Sequence, residues 1–194
     1  MLIYVTNRKL CQYDFLDQIE RLAKGKPHGM MLREKDLNLP DYEKLAVEVK
    51  EICHEHHVPL IINQNMSVAM NLKIPNIQLS MTNLRKYHQD LHAFKNIGAS
   101  VHTIDEAKEA QVLGATYLIA GHIFSTDSKK GVPPRGLPFL KNVSEAVPLP
   151  VLAIGGITRY HVNDIYATGA KGVCIMSEAM TSQHPTELAY SFKL

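Results

Sequence analysis

The sequence predicts an α/β protein, a single compact (β/α)8 barrel of the TIM type over residues 1–194, and three observations lead there. Eight short β-branched or apolar runs alternate along the chain with amphipathic stretches. The runs are continuously hydrophobic, as parallel strands covered on both faces are. No Gly-x-Gly-x-x-Gly follows the first run, which disfavours an open doubly wound sheet. No linker or composition shift divides the chain, and 194 residues lie near the lower size limit of the barrel.

The predicted strands cover residues 2–6, 29–33, 60–63, 77–79, 99–102, 117–120, 151–154 and 172–176. Between them, residues 14–23 place Phe15, Leu16, Ile19 and Leu22 on one helical face. Residues 42–55 repeat the pattern with Leu45, Val49 and Ile52. A helix over 105–113 opens after Thr103, a capping residue, and closes at Gly114. Further helices are expected over 137–147, 160–168 and 177–192, while the stretch after Leu79 carries only a weak helical signal.

The composition is 45% hydrophobic and 21% charged, which excludes a disordered or low-complexity chain. Lys and Arg number 21 against 19 Asp and Glu, with no clustered basic face, so no nucleic-acid partner is expected. No apolar run approaches the ~18 residues of a membrane span, and none is expected to meet a membrane. Residues 1–6 read directly as a strand, without a secretory signal. Three widely spaced cysteines, Cys11, Cys53 and Cys174, form no framework and fit a reducing cytoplasm.

In a barrel the chemistry lies where strands end. After the seventh strand stands Gly155-Gly156, and after the eighth Ser177-Glu178. Barrels commonly bind phosphate there through backbone N–H groups, although a glycine pair also serves an ordinary tight turn. After the sixth strand comes His122, poised for proton transfer, followed by a loop with Thr126, Lys129 and bounding glycines that suits an anion and a lid. After the second strand, Arg33 and Lys35 suit a carboxylate or phosphate, or else salt bridges with Glu34 and Asp36. The third and fourth strands end in Asn63-Gln64-Asn65 and Ser80-Met81-Thr82-Asn83, without a carboxylate for a hard cation, so no metal is expected. His54-Glu55-His56-His57 lies at the opposite side of the barrel and reads as a polar helix end.

Taken together these pieces resemble the thiamine phosphate synthase and TenI family over nearly the whole chain. The resemblance rests on Leu32-Arg33-Glu34-Lys35-Asp36, Ile61-Ile62-Asn63, residues 98–103, Gly114-Ala115-Thr116-Tyr117, residues 124–131 and residues 153–158. It implies the (β/α)8 barrel. Within the family, synthases couple a pyrimidine pyrophosphate to a thiazole phosphate using Mg²⁺. Their pattern places carboxylates where this chain has Gln64 and the Met81-Thr82-Asn83 segment, a Gln where it has Met31, and Gly-Pro where it has Gly121-His122.

These departures resemble the TenI branch, the thiazole tautomerases. That resemblance implies an isomerase of thiamine biosynthesis, aromatising a carboxylated dihydrothiazole ethyl phosphate by a proton shift, without a cofactor. His122 would be its acid and base. Gly155, Gly156, Ser177 and Glu178 would bind the phosphate through backbone amides. Arg33, Lys35 or Lys129 would pair with the substrate carboxylate, and Ser100 and Thr126 would position it. The alternatives are the Mg²⁺-dependent synthase and a non-catalytic, ligand-sensing regulatory barrel. The resemblance also implies a homodimer.

Overall fold

A computed structural model describes residues 1–192, and its fold is the barrel the sequence predicts. The strands are β1 (Leu2–Val5), β2 (Gly29–Leu32), β3 (Leu60–Asn63), β4 (Asn76–Ser80), β5 (Asn96–Val101), β6 (Tyr117–Gly121), β7 (Val151–Ile154) and β8 (Gly172–Ile175). They pair in parallel and in chain order, and β8 closes onto β1 through Leu2 opposite Val173. Around them run α1 (Phe15–Lys24), α2 (Leu39–Glu55), α3 (Met66–Asn71), α4 (Met81–Tyr87), α5 (Ile104–Val112), α6 (Gly136–Ala146), α7 (Val162–Ala167), α8 (Ser177–Thr181) and α9 (Pro185–Leu188).

Because side chains alternate along a strand, the barrel has two cores. Outward residues such as Tyr4, Met30, Leu32, Ile62, Ile77, Leu79 and Leu118 pack under the helices. Inward residues Ile3, Val5, Met31, Ile61, Ile119, Leu152 and Cys174 fill the centre. Cys174 is thus the small buried hydrophobe its surroundings suggest, and burial pushes its thiol well above the usual range. The β3–β5 side of the interior is polar instead. Gln78 Nε2 donates to Ser100 Oγ at 2.9 Å, and Asn96 Nδ2 to Asn76 Oδ1 at 2.7 Å.

Several helices differ from the sequence expectation, each for a local reason. The segment 177–192 is not one helix. Gln18 Nε2 donates to the carbonyls of Ala179 (2.9 Å) and Ser182 (3.2 Å), taking acceptors from the end of α8, and Pro185 starts α9 because it lacks an N–H. The segment 160–168 splits into a 3₁₀ turn, Arg159–His161, and α7. The weak region after Leu79 does form α4, since the Ser80 hydroxyl accepts from the Asn83 N–H at 3.3 Å. The short α3 carried no amphipathic signal in the sequence. Among the described residues no helix is long and apolar enough to cross a membrane.

Candidate functional site

The strand ends and the loops after them build the mouth. At β2 the sequence left open whether Arg33 and Lys35 pair with Glu34 and Asp36. They do not. The Glu34 carboxylate is buried and accepts from the Thr6 hydroxyl at 2.7 Å, the Arg8 N–H at 3.1 Å and Arg8 Nη1 at 3.2 Å. Asp36 accepts from Arg8 at 2.6 and 2.7 Å and pairs with Lys9 Nζ at 3.0 Å, which holds its carboxyl well below the usual range. The residues after β1 therefore occupy both acids. Arg33 instead runs half-buried toward Met176, with Nη1 4.0 Å from the sulfur, and burial lowers its pKa. Lys35 is lowered too, first by the Arg33 charge, then by burial and by Lys129. Arg33, Lys35 and Lys129 thus share one electrostatic neighbourhood at the mouth.

At β6 the loop folds back on its own base. Arg135 N–H donates to the His122 carbonyl and Gly136 N–H to the Ile123 carbonyl, both at 3.0 Å. His122 is buried, and its Nε2 lies 3.2 Å from the Val132 carbonyl. The ring therefore pins the far side of the loop to the strand end. Thr126 caps the 3₁₀ turn Asp127–Lys129 by accepting from the Ser128 N–H at 3.4 Å. His102 faces the same loop. Burial lowers its pKa, Glu106 opposes that, and the charges of Arg135, Lys129 and His122 lower it further. His102 and Arg135 at this rim were not among the sequence-level candidates, and only the barrel closure brings them there.

At β7 the glycine pair has a packing role beside any anion. Gly155 and Gly156 have φ of 99° and 63°, a region side chains rarely adopt. A Cβ on Gly155 would meet His122, with Cα at 2.8 Å, and one on Gly156 would meet the Ser125 carbonyl and Phe124. The glycines thus let the β6 and β7 loops touch. Ile123 N–H donates to the Ile154 carbonyl (2.9 Å) and Phe124 N–H to the Gly155 carbonyl (3.0 Å). Phe124 stacks on His161 with ring centroids 3.9 Å apart. Ser177 stands exposed at the start of α8. Glu178 turns one carboxylate oxygen into a buried position without a partner, and burial raises its pKa against the opposing pull of Arg159.

At β3 and β4 the strand ends carry amides and hydroxyls that bond to one another. Gln64 Oε1 accepts from the Ser80 N–H at 3.2 Å, the Ser80 hydroxyl at 3.4 Å and Asn83 Nδ2 at 2.6 Å. Ser100 accepts from Gln78 beside them. The His54–His57 run lies far from this mouth at the C-terminal end of α2, with His56 Nε2 4.0 Å from Glu20.

Comparisons with known proteins agree with this architecture. The family profile described as thiamine monophosphate synthase matches residues 2–179. A thiamine-phosphate synthase of Clostridium acetobutylicum is 35% identical over 185 residues, covering 94% of this chain and 88% of the relative. One from Desulfitobacterium hafniense is 34% identical over 192 residues, covering 97% and 93%. Among solved structures, a thiamine phosphate pyrophosphorylase from Pyrococcus furiosus superposes with a TM-score of 0.84 at 24% identity, over 98% of this chain and 92% of that one, a likeness of fold.

These relatives overturn the expectation of a thiazole tautomerase, and with it the isomerase class, since proteins this similar over almost the whole chain are named synthases. The expectation leaned on Gly121-His122 and on the missing carboxylates. In the fold His122 is buried, with its Nε2 3.2 Å from the Val132 carbonyl.

Proposed function

The chain belongs to the thiamine monophosphate synthase family, and from this premise we propose that it is a transferase of the thiamine-phosphate synthase type, joining a pyrimidine that carries a diphosphate to a thiazole that carries a monophosphate. The observation that carries the reading is the Arg33, Lys35 and Lys129 neighbourhood, whose nearby acids are held by Arg8 and Lys9. Three cations, none of them in an ion pair with a carboxylate among the described residues, suit a diphosphate, which bears more charge than a carboxylate or a monoester. The Gly155-Gly156 turn and Ser177, on the β7–β8 side, supply a second anion station. Two stations on one mouth match two phosphorylated substrates.

The coupling is a substitution at carbon. The thiazole nitrogen forms the new C–N bond, the C–O bond to the diphosphate breaks, and its electron pair leaves with the diphosphate. No proton has to move, so no acid or base is required of His122. The chain's contribution is to place the two substrates and to oppose the charge that grows on the leaving diphosphate, which is the work of Arg33, Lys35 and Lys129. Lys129 rides on the exposed β6 loop, and His122 holds that loop down through Val132, so it is a positioning residue. The hydroxyls of Ser100 and Thr126 are the polar positioning groups. Mg²⁺, which the family resemblance implies, finds no carboxylate at the ends of β3 and β4, and no step here runs through it.

The test is direct. The purified chain, given both phosphorylated substrates, is expected to form thiamine phosphate and release diphosphate in equal amounts. Absence of product with folded protein would refute the reading.

A further inference from the structure

We infer that the corner where β3 and β4 end is an amide clasp and not a divalent-cation site. This goes beyond the proposed function and does not rest on it. Gln64 has φ of 68°, in the left-handed region, and its N–H donates to the Gln78 carbonyl at 2.9 Å. Its side chain crosses the start of α4, where Oε1 takes three donors: the Ser80 N–H, the Ser80 hydroxyl and Asn83 Nδ2. An amide oxygen has two lone pairs, so three donors leave it nothing to offer a metal. A cation at that oxygen would also face the positive end of the Asn83 amide, 2.6 Å away.

The charge balance points the same way. A hard dication takes carboxylates, and Asn63, Gln64, Asn65, Ser80, Met81, Thr82 and Asn83 include none. Among the described residues no group of three or more His, Cys, Asp and Glu stands together as a metal site. The positive charge of this mouth comes from side chains at β2 and β6 instead. The clasp has a mechanical role in its place: it ties the end of β3 to the first turn of α4.

Mn²⁺ titration of the full chain, followed by electron paramagnetic resonance and without any substrate, tests this. The wild type is expected to take up no Mn²⁺ below about 1 mM, the weak end of protein oxygen sites. Gln64→Asp/Asn83→Asp is expected to gain a bound Mn²⁺ at least tenfold tighter, and Asn83→Asp alone to gain part of it if the double variant does not fold. Stoichiometric Mn²⁺ binding by the wild type that Gln64→Ala abolishes would overturn the inference, as would a folded double variant that gains nothing. Product formation is measured separately. A wild type that makes no thiamine phosphate yet excludes Mn²⁺ refutes the proposed function and supports the clasp.

Discussion

Replacing Glu34 with alanine removes the carboxylate on which the ends of β1 and β2 converge. The Thr6 hydroxyl is fully buried and loses its acceptor, and the Arg8 N–H loses both carboxylate oxygens. A stranded buried donor costs about 1–3 kcal/mol, and the Arg8 N–H, only part-buried, costs less than the Thr6 hydroxyl, so the two together cost about 2–5 kcal/mol. The Arg8 guanidinium adds little, because it is partly exposed and keeps its bidentate pairing with Asp36. For a domain of this size each kcal/mol lowers Tm by ~2–4 °C, which places the fall between roughly 4 and 20 °C. Differential scanning calorimetry reads it. Thr6 Oγ1 accepts from the Arg33 N–H at 2.9 Å, so the same variant should also bind inorganic pyrophosphate more weakly. Arg8→Ala is the contrast: it keeps the Thr6 and backbone N–H bonds to Glu34 but leaves that buried carboxylate without its guanidinium, so it should melt below the wild type as well. A Glu34→Ala protein within ~2 °C of the wild type would refute the reasoning, since no buried donor would then have been stranded.

Further outcomes follow from the mouth and its rim. Lys129→Ala should weaken pyrophosphate binding roughly ten- to hundred-fold, the loss of one charged hydrogen bond, as measured by isothermal titration calorimetry with the melting temperature unchanged. Pyrophosphate affinity should fall as the pH rises toward the lowered Lys35 pKa, earlier than an ordinary lysine at 10.5 would allow, and Arg33→Ala should move that fall to higher pH because the largest lowering charge is gone. Glu178 has a folded pKa raised above its ordinary 4.5, so its ionisation opposes folding: the chain is at its best below that value and loses stability as the pH rises through the folded pKa. Glu178→Gln should therefore raise Tm at pH 7 and leave it unchanged at pH 4, and an equal shift at both would remove burial of the charge as the cause.

The barrel was legible because parallel strands are covered on both faces, so runs such as 60–62 and 151–154 stand out as uninterrupted apolar segments. Helix breaks made by partners far along the chain were not. Nothing near Ala179 and Ser182 announces that Gln18 will take their carbonyls. The site divides in the same way. The strand-end positions of Arg33, Lys35 and His122 could be read in order, but their partners could not. Whether Arg33 faced Glu34 depended on Arg8, which is distant in sequence and adjacent only once β1 lies beside β2. The position of His122 after β6 could be read, but not the loop's return that places the Val132 carbonyl 3.2 Å from its ring. Gln64 and Asn83 were read as amides without charge, and their mutual contact appears only when β3 and β4 end side by side.

The close approach of Gly155 and Gly156 to residues 122–125 has a consequence for how this mouth can change. The two loops share backbone hydrogen bonds and a ring stack, and a methyl group on either glycine would wedge them apart. They therefore form one cassette. A graft that imports a foreign β6 loop while keeping the native β7 turn inherits a seam cut for a different partner, whereas residues 121–136 and 154–161 transplanted together carry both halves of the seam. Recombination within this scaffold is constrained to treat segments separated by the whole of α6 as a single heritable piece.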